Sequence, residues 1–219
     1  RELPTLYSYR PSGLQALFRT LDELGERPEP WLHPFGRLEA EVRDGVLLLA
    51  APTTLGGERS LVRWVEAGNT LVVFDTGDRV LEPLRATFGI VRSGDRTSVV
   101  RLGVDAPEAS RVDRLECGER LAPCRGLSNI TGTSGALRGT EATIVSVNGD
   151  RTTGLHRRFG DGEVWWFAGA EPVQNAFIDA ADNFALLHRI VTARGRILID
   201  EFHHGFLEPT PAGARHEIR

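Results

Sequence analysis

Methionine and lysine are both missing from this 219-residue chain, and no apolar run approaches the roughly 20 residues that a membrane helix needs. The lack of Met even at position 1 implies a processed or excised segment of something longer. With no signal-peptide pattern either, any membrane anchor is expected outside the given residues. Without Lys, all 26 basic residues are Arg, which reads as a GC-rich coding bias and not as phosphate recognition. A net charge of -4 and a pI near 5.9 give no general electrostatic reason to bind nucleic acid. Only Cys117 and Cys124 represent cysteine, and two readings of them stay open: a small disulfide loop in an oxidising compartment, or two free thiols. Two Cys without nearby His are too few for a structural zinc site.

What is present is ordinary for a globular protein, with 41% hydrophobic and 26% charged residues. The length suits a single α/β domain over 1–208, with a β-rich insertion or lobe over 90–153 and a linker or tail over 209–219. Leu3 to Tyr9 reads as a short strand, followed by a turn with Ser12 as a candidate N-cap. Leu14, Leu17, Phe18, Leu21 and Leu24 then repeat at helical spacing. Pro28 to Phe35 reads as an irregular or edge segment. Val46–Ala50 and Leu71–Phe74 are continuous apolar runs of the kind buried on both sheet faces. Helical patterns around Leu61, Val62 and Val65, and around Val80, Leu81, Leu84 and Phe88, follow them. Alternation of strand and helix predicts a mostly parallel, flavodoxin-like sheet with helices on both faces.

Helical periodicity fades from Ile90, and both cysteines fall in that stretch. Arg157–Phe159 and Glu163–Phe167 then read as a hairpin about Gly160-Asp161-Gly162. Trp165 and Trp166 are adjacent, so one faces the core and the other faces outward or lies beneath a covering element. A helix at about 182–193 and a buried strand Ile197–Ile199 close the domain.

That last strand delivers Asp200-Glu201-Phe202-His203-His204-Gly205. In an open α/β sheet, ligands bind beyond the carboxyl ends of strands. Asp75 ends one strand and Asp200 with Glu201 another, so these acids share a crevice with His203 and His204 if the two strands are near neighbours. Glu201 and His203 are the catalytic candidates, since carboxylate and imidazole differ in reference pKa by roughly two units. Asp200, His203 and His204 are the metal candidates. The heavier reading is a hydrogen-bonded structural cluster that locks the last strand to its surroundings, with catalysis and ligand binding as its alternatives. Asn175 and Asn183 flank the start of the last helix; Asn183 serves as a donor to a loop carbonyl or to the acids, or the helix is capped by Asp179, Asp182 or Asn183 itself. The Gly-rich pieces 56–57 and 132–139 fit neither a phosphate-binding loop nor a dinucleotide fingerprint, so no cofactor is expected. Neither cysteine, nor Ser134, sits on a strand-to-helix nucleophile elbow.

Several of these residues together carry a resemblance: Ser8-Tyr9 with Gly13, Ala16, Leu17 and Leu21; Pro52 with Leu61, Trp64, Val65 and Gly68; Asn183; and Asp200-Glu201-Phe202-His203-His204-Gly205. The chain resembles a bacterial family of unknown function whose members look like membrane-anchored relatives of the glutamine-amidotransferase-like, flavodoxin-like fold, often encoded beside MoxR-type ATPases. Asn69 departs from the Gly-Gly expected after the second helix, and the middle lobe is not covered. The resemblance implies membrane helices just outside this segment, an extracytoplasmic domain and a fold kept without the catalytic elbow.

The leading expectation is therefore a non-catalytic binding or scaffold domain acting with protein partners in the cell envelope. The second is a metal-assisted hydrolase using Asp200, Glu201 and His203 or His204, and the third a small-ligand sensor. Strand order, ligand, partner and oligomeric state are not encoded in any pattern the sequence displays.

Overall fold

A computed structural model describes residues 3–93, 129–132, 143–148, 151–180 and 183–207. Cys117, Cys124, Ser134, the run Ser98–Val104 and the tail over 209–219 lie outside the described residues.

The chain runs through α1 (Gln15–Glu23), β1 (Glu29–Trp31), α2 (Leu38–Glu41), β2 (Gly45–Ala50), α3 (Glu58–Glu66), β3 (Thr70–Phe74), α4 (Glu82–Phe88), β4 (Ile90–Ser93) and β5 (Asn129–Gly132). It continues with β6 (Thr143–Asn148), β7 (Arg151–Phe159), β8 (Gly162–Phe167), α5 (Asn183–Val191) and β9 (Arg196–Asp200). Seven strands form one sheet in the order β1-β9-β2-β3-β8-β7-β6, and β4 pairs with β5 separately. The strands from β1 to β8 in that order are mutually parallel. β7 and β6 extend the sheet antiparallel to β8.

Burial explains the apolar runs. Along β2, Leu47 and Leu49 enter one core while Val46, Leu48 and Ala50 enter the other. Both faces are covered, so both side-chain sets must be apolar. Leu38, Leu61, Trp64, Val65, Leu84 and Phe88 place α2, α3 and α4 on the first face. Leu17, Leu21, Leu187, Ile190 and Val191 place α1 and α5 on the second. Trp165 and Trp166 follow the same logic, pointing to opposite faces and both buried. At the amino edge, Asn69 is buried; its Oδ1 accepts from the Gly45 amide at 3.0 Å and its Nδ2 donates to the Trp64 carbonyl at 2.8 Å. The β7–β8 hairpin turns through Gly160-Asp161. A side chain on Gly162 would begin 2.0 Å from the Val65 carbonyl oxygen, so that strand start admits no Cβ.

Two local expectations are corrected. Leu3 to Tyr9 is a chain of turns and not a strand: Thr5 Oγ1 accepts from the Tyr7 amide, and the Thr5 carbonyl from Ser8 and Leu14. Such side-chain and turn bonds compete with strand pairing. Helix α1 is preceded by Leu14, which supplies no side-chain cap, so Ser12 does not hold the N-cap position. Its cap comes from afar: Asn175 Oδ1 accepts from the Ala16 amide at 2.7 Å. The same amide group donates to the Ser8 and Arg10 carbonyls, pinning the N-terminal segment to the loop after β8.

Candidate functional site

β9 is buried along Ile197–Asp200 and ends at the carboxyl edge, where residues 202–204 make a 3-10 turn closed by Gly205 in the left-handed region (φ 93°). The structure brings Asp200, Glu201, His203 and His204 together, all buried. His203 donates from Nδ1 to Asp200 Oδ1 at 2.9 Å and packs on Phe35, with ring centroids 4.0 Å apart. Glu201 Oε1 accepts the Leu6 amide at 2.6 Å. His204 donates from Nε2 to the Ala50 carbonyl at 2.8 Å, with the Ala51 carbonyl at 3.3 Å, while its Nδ1 faces Glu201 Oε2 at 3.6 Å. The His203 carbonyl accepts from the Thr53 and Thr54 amides and from Thr53 Oγ1.

Burial alone would disfavour a charged His204. The Glu201 carboxylate, then Asp200 and the Ala50 carbonyl, outweigh it and raise the His204 pKa above its ordinary value. The Ala50 carbonyl takes the Nε2 proton, while the Glu201 carboxylate, 3.6 Å from Nδ1 and too far for a hydrogen bond, favours the protonated ring through its charge. These bonds join the last strand to the N-terminal segment and to the loop after β2. The nitrogens do not converge on a common point: Nδ1 of His203 is on Asp200 and Nε2 of His204 is on backbone carbonyls. Among the described residues, no group of three or more His, Cys, Asp and Glu side chains is arranged to hold a metal ion.

Asp75 stands elsewhere. β2 lies between β3 and β9, and the registers put Asp75 two residues further along than Asp200, so their Cα atoms are roughly 12 Å apart by strand spacing and rise. Its carboxylate is held by Arg85 Nη1 at 2.8 and 3.0 Å, by the Gly77 amide and by Trp166 Nε1. Sequence reasoning missed Arg85, whose helical position gives no sign of the strand end it reaches. Asn183, in the first turn of α5, donates from Nδ2 to the Phe177 carbonyl at 2.8 Å, the loop-carbonyl alternative.

A different feature occupies the carboxyl edge beside this cluster. The connection leaving β3 goes to α4 on the first face, and the connection leaving β8 goes to α5 on the second. Adjacent strands whose connections part to opposite faces open a crevice at their carboxyl ends. A cleft of about 590 Å³ lies there, lined by Ala51, Thr53, Thr76, Arg79, Glu171 and Gln174 among others. Ala51 adopts a left-handed backbone (φ 47°) at its rim. Glu171 Oε2 is buried without a hydrogen bond among the described residues. Arg79 is exposed, and neither its side chain nor that of Gln174 makes a hydrogen bond among the described residues. None of Arg79, Glu171 or Gln174 stood out in the sequence. Finding them requires knowing that β3 and β8 are neighbours, and strand order is a tertiary fact.

Fold and site together define a doubly wound α/β domain with a locked last strand and an open cleft where the connections diverge. Residues 7–191 match the family described as Domain of unknown function (DUF4350), and the chain belongs to it. The match ends in α5, short of the Asp200–Gly205 motif. No curated protein matches the chain. Among solved structures it is similar to the mmIFT52 N-terminal domain, with a TM-score of 0.50 and 14% identity, covering 78% of this chain and 86% of that one. At that identity the likeness is one of fold.

Proposed function

We propose that this chain is a non-catalytic binding or scaffold domain of a membrane-anchored cell-envelope protein, and that it binds through the cleft between the loops after β3 and β8. One observation carries the reading. The carboxylates and imidazoles of the 200–204 motif are enclosed in the fold and directed at one another and at its backbone, even where Asp200 Oδ2, Glu201 Oε2 and His204 Nδ1 lack a hydrogen bond among the described residues, whereas Arg79, Glu171 and Gln174, whose side chains likewise make none, line the neighbouring open cleft. Clefts of roughly 300–1,000 Å³ with a few convergent polar groups are the usual form of small-molecule sites.

The anchor, the extracytoplasmic location and the kinship with amidotransferase-like domains belong to the same proposal and rest on the resemblance of the residues cited above. No helix among the described residues is long and apolar enough to cross a membrane, so the anchor would be supplied from outside them.

A thermal-shift screen of small polar metabolites against the purified chain tests the binding reading. The expected result is at least one stabilising ligand whose effect disappears in Gln174→Trp, a substitution that fills the cleft without removing a hydrogen bond. An empty screen, or a response that survives the substitution, would overturn it. Calorimetric titration with zinc, manganese and magnesium separates it from metal-assisted hydrolysis: binding that is lost in His203→Ala would favour the enzyme.

A further inference from the structure

We propose that the cleft recognises a zwitterion, a free amino acid or dipeptide, with its ammonium on Glu171 and its carboxylate on Arg79. This rests on the cleft being the binding site and adds the ligand's chemistry. Asp78 also lines the cleft, and its carboxylate is already hydrogen-bonded, its Oδ2 accepting the Thr76 hydroxyl at 3.0 Å. Thr53 gives its hydroxyl to the His203 carbonyl. Among the described residues, the cleft side chains left without a hydrogen bond are the Arg79 guanidinium, the Glu171 carboxylate and the Gln174 amide.

The Glu171 carboxylate lines the cleft with no cationic partner among the described residues, and an ammonium supplies the complementary charge with charge-assisted hydrogen bonds. A guanidinium presents paired N–H groups that match a carboxylate. A plain cation would leave Arg79 unanswered and a plain anion would leave Glu171 unanswered; a zwitterion answers both. The amide of Gln174 bonds either end. Leu3, Pro4, Pro52 and Val80 supply an apolar wall on the same cleft, which suits an aliphatic side chain. About 590 Å³ leaves room for a second residue, so a free amino acid and a dipeptide share this chemistry.

The test is calorimetry on the purified chain with four probes: leucine, the dipeptide Ala-Leu, N-acetyl-leucine and leucinamide. Leucine or Ala-Leu is expected to bind, and each blocked form to bind roughly tenfold more weakly or worse, the scale of one charge-assisted hydrogen bond. Arg79→Ala should abolish discrimination against leucinamide alone, and Glu171→Gln discrimination against N-acetyl-leucine alone. Each position opens a short 3-10 turn, with Arg79 exposed and Glu171 half-buried, and an unchanged thermal midpoint verifies that each variant is folded. Failure of leucine and Ala-Leu to bind, equal binding of the blocked forms, or discrimination retained in both variants would overturn the proposal. If those probes fail while the metabolite screen yields a cleft-dependent ligand of another charge type, the zwitterion falls and the cleft stands. If both fail, both fall.

Discussion

His204 shows how a single side chain carries both structure and a pH response. Its ring is buried between the Ala50 carbonyl and the Glu201 carboxylate, and its pKa in the fold lies above the 6.5 of an ordinary imidazole. Below about pH 6.5 the ring is protonated both folded and unfolded, and the full favourable interaction is present. As pH rises through the folded pKa, the proton leaves and that stabilisation is lost. The difference in thermal midpoint between the native chain and His204→Gln should therefore be largest below pH 6.5 and shrink as pH rises above it. Midpoints measured from pH 5.5 to 9 decide the matter; a constant difference, or one that grows with pH, contradicts the assignment. The sequence displays this cluster as four polar residues after an apolar run, which is why it was legible. Its locking role was the reading the sequence favoured; the groups it grips were not legible, because the Leu6 amide and the Ala50 and Ala51 carbonyls are backbone that every residue type presents alike.

At the scale of elements, the continuous apolar runs of β2 and β3, the periodicity of α3 and the Gly-Asp-Gly hairpin were readable, since each follows from local spacing. Leu3–Tyr9 was not, because Thr5 and Ser8 turn the chain with bonds that apolar composition does not reveal. The junction of β2 with its loop is the most specific of these local features. Ala51 sits at φ 47°, its amide donates to the Phe74 carbonyl at 3.0 Å, and its carbonyl lies by His204. A left-handed conformation costs a residue with a Cβ roughly 1–2 kcal/mol, while glycine loses about 0.5–1 kcal/mol of extra backbone entropy. Ala51→Gly is accordingly expected to stabilise by about 0.5–1 kcal/mol in urea unfolding, whereas Ala50→Gly, one residue earlier inside the strand, is expected to destabilise. Destabilisation of both to the same extent would show that the conformation at 51 is not strained.

For the whole molecule, the decisive fact is strand order. The sequence offered the 200–205 motif first as a cluster locking the last strand and second as a ligand site, the latter on the premise that Asp75 and Asp200 end neighbouring strands. β2 intervenes, and the connections diverge instead between β3 and β8, so the open cleft forms one strand further over. The motif becomes the fastener that closes the fold, joining the first described residues to the last strand. Leu6 is 4% exposed, and its amide gives Glu201 Oε1 its hydrogen bond. Leu6→Ala removes the side chain but keeps that amide, so it loses the burial of one leucine, about 2–3 kcal/mol. Deleting residues 1–7 removes both and leaves a buried carboxylate oxygen without its donor, which adds roughly 1–3 kcal/mol. The deletion should therefore unfold at distinctly lower urea than Leu6→Ala, and Glu201→Ala should narrow the gap between them by removing the orphaned acid. Equal midpoints for the deletion and Leu6→Ala would mean that the segment is held by its apolar contact alone and that Glu201 fastens nothing.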